Sequence, residues 1–535
     1  MPAQIQEDTV APVKLNKMER IKKEKNPFEV WDDIERYAHT GFDSIHPDDF
    51  DRFKWYGLYT QRPQSDGYFM LRIKIPNGDL TSTQLKTIAD LADKYGQGLA
   101  DITDRQNIQL HWLRIESIAP INHALEAIGL GLKGACGDTV RNIIGSPLAG
   151  YAQGEIIDTW PIVEAANAAL TGQAEFSDLP RKYKISISGG ADHWVQHEIN
   201  DIGLVGVRLP ETGEIGFDVW VGGGLGAQPH LGKRLGVFIR EAEVIPVCYQ
   251  ITTIFRDFGY RRNRQHARLK FLVADWGVVK FREVLEERLG YRLTDNPVET
   301  TETNPYKDHV GVTPQKQPGL FAVGLATLRG RVNAGQLRAL AEVAEKYADG
   351  HLRATTLQNI VVLNVPEGNV TAVREAAASL DLPSDEKNYF RRGAMACTGI
   401  QFCKVAVAET KDRTAEIVEY LQEVLPEWNE PISINMSGCP NSCTRYQIAD
   451  IGLLGSLVRT DGSATNEKEE VYQVYLGGRL GKDMRLGHHL NRRVPSPEVK
   501  YYIERILRRY LQDRQPQDRF VDYVHRYSLE ELETW

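Results

Sequence analysis

Cysteine is scarce in this chain, with six in 535 residues, and four of the six fall between positions 397 and 443. So few cysteines in so large a chain do not make a disulfide framework. Positive charge is not in excess either. Sixty-four lysines and arginines face 72 acidic residues, a formal net charge of −8, which gives no support for a nucleic-acid partner. No apolar run approaches the length of a membrane-spanning helix. The stretch from Met1 to Pro27 is polar and rich in lysine and glutamate, without the apolar core of a secretion signal. Nothing reads as a flavin or NADPH module. Gly222-Gly-Gly-Leu-Gly226 lacks the β–α–β context and following acidic residue of a dinucleotide site, so it reads as a tight backbone turn. The expectation is a cytoplasmic protein in a reducing setting, where clustered cysteines do metal or redox work.

What is present is concentrated. Cys397 and Cys403 form one close pair and Cys439 and Cys443 another. Two such pairs can bring four thiolates to one centre. Structural zinc prefers tighter knuckles, whereas iron–sulfur clusters accept varied spacing. A [4Fe–4S] cluster, a zinc site and a set of buried inert thiols all stay open on spacing alone. Cys248, in an apolar run, reads as core.

The chain also repeats itself. Residues 67–111 align without a gap on 319–363 at an offset of 252, with about a third of positions identical. Each copy reads strand, helix, strand: Leu71, Ile73 and Ile75 alternate, then Leu85, Ile88, Leu91, Ala92 and Tyr95 follow at helical spacing. A second block repeats too, since Asp201-Ile-Gly-Leu-Val-Gly206 matches Asp450-Ile-Gly-Leu-Leu-Gly455. The result is an α+β chain of the form A–B–A′–B′, one doubling and not a solenoid. Pseudo-two-fold packing of mixed sheets with helices is expected, with a site where the halves meet.

Duplication separates fold from chemistry. Positions that serve the fold stay similar in both copies, and positions that serve one site are free to differ. Alternation puts Arg105, Asn107, Gln109 and His111 on one strand face, with Ile108, Leu110 and Trp112 on the other. The matching face of the second copy is Leu357, Asn359, Val361 and Leu363. The one-sided face is either a solvated strand or a donor-lined wall for a polyanion. Arg72 lies opposite Gly324 in the repeat, and Lys182 and Lys184 lie opposite Pro431 and Ser433. With Arg141 they make four cations in the half that lacks the cysteine quartet. Cys136, five residues before Arg141, is expected near them, with Tyr59 as a candidate neighbour.

Cys397-Thr-Gly-Ile-Gln-Phe-Cys403 followed by Gly438-Cys439-Pro440-Asn441-Ser442-Cys443 resembles the cluster signature of the sirohaem-dependent sulfite and nitrite reductases. The resemblance covers essentially the chain after residue 30. It implies that Cys397, Cys403, Cys439 and Cys443 hold a [4Fe–4S] cluster and that Cys443 also bridges to the sirohaem iron. It places Arg105, Asn107, Gln109 and His111 on a sirohaem-contacting strand, and Arg72, Arg141, Lys182 and Lys184 around the substrate. The domains expected are an N-terminal arm (1–62) with a short helix near Phe28–Tyr37, ferredoxin-like half-domain A (63–145), sirohaem-binding domain B (146–305), half-domain A′ (306–390) and cluster domain B′ (391–535). The activity implied is six-electron reduction of sulfite to sulfide. Nitrite reduction to ammonia is the alternative, and a non-catalytic iron–sulfur or zinc-stabilised protein the third reading. In the family, plant-type nitrite enzymes commonly carry Lys-x-Asn where sulfite enzymes carry Lys-x-Lys, and this chain has Lys182-Tyr-Lys184. The first cysteine motif has, by contrast, a nitrite-enzyme flavour. Ferredoxin is the implied electron donor, the substrate a small anion, and the protein a monomer. Basic stretches for ferredoxin are Arg256 to Lys270 and the tail helix from Lys500 to Arg514.

Overall fold

The computed structural model describes residues 15–190, 195–298, 308–385, 387, 389–459 and 468–535. The start of the expected arm, residues 1–14, and the 305/306 boundary lie outside them.

The two A-type units are five-stranded antiparallel sheets that exchange a strand. The first runs Leu58–Thr60, Phe69–Ile73, Ile108–Leu113, Leu99–Ile102 and then Arg331–Asn333, which comes from the second half. Its twin runs Gly311–Pro314, Leu320–Leu325, Ile360–Pro366, His351–Ala354 and then Asp79–Thr81, from the first half. Each exchanged strand carries an ion pair into the foreign sheet, Arg331 to Asp101 at 3.0 Å and Asp79 to Arg353 at 2.6 Å. Across the repeat these are one pair with its charges reversed. Helices Ser82–Tyr95 and Ala334–Tyr347 follow the exchanged strands. Both open on a capping box, Thr81 with Gln84 and Asn333 with Gln336, so local chemistry starts both helices at the same point. They pack on each other and share one core with both sheets.

The crossing depends on glycine. Gly78 and Gly330, just before the exchanged strands, have φ of +69° and +70°. A Cβ on Gly78 would stand 2.5 Å from the Ala354 carbonyl oxygen. Gly78→Ala is expected to lower the unfolding free energy by about 1–3 kcal/mol, read from denaturant melts, because it combines left-handed backbone with a clash against main chain. An unchanged midpoint would count against the tight crossing.

The B-type units are mixed sheets. In the first, Ile144–Gly145, Ile185–Ser188 and Ile202–Arg208 are parallel, and Ile215–Val221, Lys233–Ile239 and Thr294–Asp295 continue antiparallel. In the second, Ala394–Ala396, Ile434–Ser437 and Ile451–Arg459 are parallel, with Lys468–Leu476 and His488–Pro495 antiparallel. Each has its own apolar core. Cys248 is buried in the first, as its apolar setting requires. The duplicated α+β architecture is therefore the one the repeat predicts.

The helix expected near Phe28–Tyr37 is present as Val30–Thr40, but the described part of the arm is not extended: a further helix, Lys17–Glu24, precedes it and the segment is packed. Met18, Ile21, Ile34 and Tyr37 are buried in the core shared by the A units. Lys22 is enclosed and paired with Glu19 at 2.6 Å and Asp178 at 2.9 Å. Among the described residues no helix is long and apolar enough to cross a membrane.

Candidate active site

A cavity of about 540 Å³ lies where the units meet, and Arg72, Arg141, Lys182, Gln109 and all four cysteines of the quartet line it. Arg72 sits on strand Phe69–Ile73 in register with Gln109, so the two side chains leave the sheet together. Arg141 is held by its own turn, donating from Nε and Nη2 to the Gly137 carbonyl at 3.2 and 3.0 Å. Its main-chain N–H donates to the Tyr183 carbonyl at 3.1 Å, which ties Arg141 to the Lys182-Tyr-Lys184 segment. The thiols come from the start of the second B sheet: Cys397 follows strand Ala394–Ala396, and Cys439 follows Ile434–Ser437.

The electrostatics are those of a site prepared for negative charge. Burial, with Lys184, Arg141, Arg268 and Arg181 close by, holds the Lys182 ammonium well below the usual lysine range. Lys184 is brought down to about 7 by burial and then by Arg105. Burial works against the charge of Arg72, yet Cys136, Tyr59 and Cys443 together keep its pKa above the ordinary value. Its Nε is buried without a hydrogen-bond partner among the described residues. An unanswered guanidinium N–H on a cavity wall suits an anionic occupant.

Tyr59, a candidate neighbour of Cys136 from the sequence, meets it, with the phenol hydroxyl donating to Sγ in a very short contact. Burial opposes ionisation of that thiol, but Arg141 and Arg72 outweigh it and bring Cys136 down to about 6. The Arg72 guanidinium lies 5.9 Å from the Tyr59 ring centre.

The sulfur quartet has the opposite character. Cys443 opens onto the cavity but is enclosed deeply by protein, and burial with the crowding of Cys397, Cys439 and Cys403 pushes its thiol up to about 12. Loading a metal centre would have to displace these protons. Among the described residues no three Cys, His, Asp or Glu groups sit close enough to hold one ion. Four thiols on one cavity wall are the donor set that a [4Fe–4S] cluster takes.

The four-residue wall is not found as alternation predicts. The strand begins at Ile108; Arg105 and Asn107 belong to the preceding turn, where Gln106 has φ +58°. Arg105 donates to the Asn200 side chain at 2.9 Å and to the carbonyls of Asn142 and Ile185. The Asn107 side-chain oxygen accepts from the Ile75 N–H at 3.1 Å and from Asn142 at 2.7 Å. His111 is fully buried against Asp101 at 3.0 Å. Of the four, Gln109 is the one on this cavity. Lys184 is not among its lining residues either, though it feels Arg105 and Arg141. The Arg256–Lys270 stretch also turns inward: Arg261 pairs with Glu19, Arg264 with Asp138 and Arg268 with Asp201. Asp104, Arg181, Lys404 and Lys411 line the cavity and were not expected. No motif marks them.

A duplicated α+β reductase fold with cations and thiols on one cavity defines a redox enzyme. The family description for the nitrite and sulphite reductase 4Fe-4S domain matches residues 136–293 and 389–535, and that for the nitrite/sulfite reductase ferredoxin-like half domain matches 61–128 and 313–380. The chain belongs to the nitrite and sulfite reductase family, an oxidoreductase family whose membership implies a [4Fe–4S] cluster and sirohaem. It is 43% identical to "Sulfite reductase [ferredoxin] 2" of Mycolicibacterium paratuberculosis, over 97% of this chain and 96% of the relative. It is 38% identical to "Ferredoxin--nitrite reductase" of Leptolyngbya laminosa, over 93% and 97%. The solved structure of the Mycobacterium tuberculosis NirA protein superposes with a TM-score of 0.92 at 41% identity, covering 97% of both chains.

Proposed function

We propose that this chain reduces sulfite to sulfide in a six-electron reaction, drawing electrons from ferredoxin. The support is the meeting of the four thiols with Arg72, Arg141 and Lys182 on the wall of one cavity. Cys397, Cys403, Cys439 and Cys443 would hold the cluster, and Cys443 would join it to sirohaem; Gln109 would face the macrocycle's carboxylates. Once bound, the two cofactors store electrons and offer an iron to the substrate. The protein's own part is to bind, polarise and protonate. Arg72 and Arg141, both on the cavity wall, would attract the anion. Lys182, whose ammonium is held well down by burial and by neighbouring cations, would release a proton at Nζ to departing oxygens on the cavity wall, and Lys184, brought down to about 7, would hold a proton near neutrality beside it. The same reading takes the chain as a cytoplasmic monomer, which light scattering on the pure protein tests.

Sulfite is preferred over nitrite because the doubly charged ion gains more from a second ammonium, by about 1–2 kcal/mol at a partly desolvated site. Steady-state turnover with reduced ferredoxin, sulfite and nitrite side by side, tests this directly. Lys184→Asn is expected to lower the sulfite-to-nitrite ratio of kcat/KM by about fivefold to thirtyfold. A ratio that does not move refutes the assignment of sulfite.

A further inference from the structure

The loop that carries two of the four thiols is anchored in the other half of the molecule. Between Cys397 and Cys403 lies the short helix Gly399–Phe402. Its last residue, Phe402, is 1% exposed. His111 stacks on the Phe402 ring with centroids 4.1 Å apart and planes 20° from parallel. Trp112 meets the same ring edge-on at 5.2 Å and 85°. Arg331, on the exchanged strand, lies 5.4 Å from the ring centre and donates to the Gln401 side chain at 2.9 Å.

Consecutive strand residues should face opposite ways. His111 and Trp112 reach one ring because Trp112 has φ +61° and the pairing register breaks at that point, a β-bulge. The Trp112 N–H is taken up by the Gln61 side chain at 2.6 Å. The twin copy keeps the bulge, with Asn364 at φ +54° and a break in the matching strand pair, but there Asn364 bonds Gln315 and Asp349. The bulge belongs to the fold. The aromatic grip does not, since the counterpart of His111 is Leu363.

Asp101 sets the imidazole. It accepts from His111 Nε2 at 3.0 Å and from Arg331 at 3.0 Å, and the Lys411 ammonium stands 3.5 Å away. With Nε2 engaged, Nδ1 buried without a partner among the described residues and one face covered by Phe402, His111 has no donor left for a macrocycle. We propose that His111 is a positioning residue: with Trp112, and oriented by Asp101, it clamps the Cys397–Cys403 loop at the spacing the cluster requires. The proposal rests on the reading of the quartet as cluster ligands.

The test is the rate at which purified, cofactor-loaded enzyme loses iron to an excess of a ferrous chelator after reduction. His111→Leu is the variant of choice, because the twin shows that leucine fits this backbone position. His111→Leu and Phe402→Leu are each expected to speed iron loss about twofold to tenfold, the range of an aromatic pair contact. The double variant is expected to lose iron no faster than the faster single, since both break one contact. His111→Phe, which keeps a flat ring, is expected to restore most of the protection. The visible haem bands are expected to stay in place throughout. Unchanged iron loss in a folded His111→Leu protein, or rates that multiply in the double variant, overturns the clamp. Shifted haem bands with normal iron loss also overturn it and return His111 to a cofactor wall. A wild-type preparation that takes up no iron refutes the cluster reading itself, which is a separate failure.

Discussion

Cys443→Ser is expected to yield a folded protein without the broad cluster absorbance, with iron content reduced and turnover down by on the order of a hundredfold or more. The fold should survive because the loop is pinned independently of any metal. Thr444 donates to the Met436 carbonyl at 2.9 Å, and its hydroxyl meets that of Ser437 at 2.6 Å. Arg445 follows at once and reaches Gln196 in the other half at 2.5 Å. Serine keeps the size of the side chain but lacks the soft thiolate that iron prefers. The measurements are iron per chain, the visible spectrum and sulfite turnover on one preparation. A variant with the wild-type spectrum and full turnover would remove Cys443 from the centre of the proposal.

Lys182→Met separates activity from stability. Lys182 lines the cavity, and its charge is opposed by burial and by Lys184, Arg141, Arg268 and Arg181. Because its pKa is lowered on folding, the folded chain binds fewer protons here than the unfolded one over the interval between the two values. The cost of enclosing the amine is thus greatest at low pH and is relieved as pH rises. Methionine removes that cost, so melting at neutral pH is expected at or above the wild-type temperature. The same change deletes a donor aimed at the substrate, and kcat should fall about a hundredfold to a thousandfold. A kcat within a few-fold of wild type, on enzyme with full cofactor content, would show that Lys182 does not act on the reacting anion.

Much of this was legible in the chain because duplication prints the fold twice. Leu85, Ile88 and Leu91 in one copy and their partners in the other mark the same helix, and the cysteine pairs stand out against a background of two other cysteines. What was not legible has particular causes. Strict alternation cannot register an extra residue, so the bulge at Trp112 and the turn at Gln106 misassign Arg105, Asn107 and His111 to one face. Lys17–Glu24 has two apolar residues in eight, too few to announce that Lys22 is enclosed between Glu19 of its own helix and the distant Asp138 and Asp178. Asp101 carries its signal in the repeat, since its counterpart is Arg353, a reversal of charge at a position buried in both copies. Three-residue strands such as Asp79–Thr81 are too short to show a period, and their partners lie some 270 residues away.

Those short strands carry a consequence for how the enzyme is made. Neither half can complete its own ferredoxin-like sheet, because each lends the other an outer strand and leaves a raw hydrogen-bonding edge behind if its sibling is missing. Separately expressed halves should therefore be sticky and poorly soluble, and should recover only when mixed or made together. Evolution of this molecule cannot proceed by trading one half for another copy; each change at the crossing has to be answered on both sides at once.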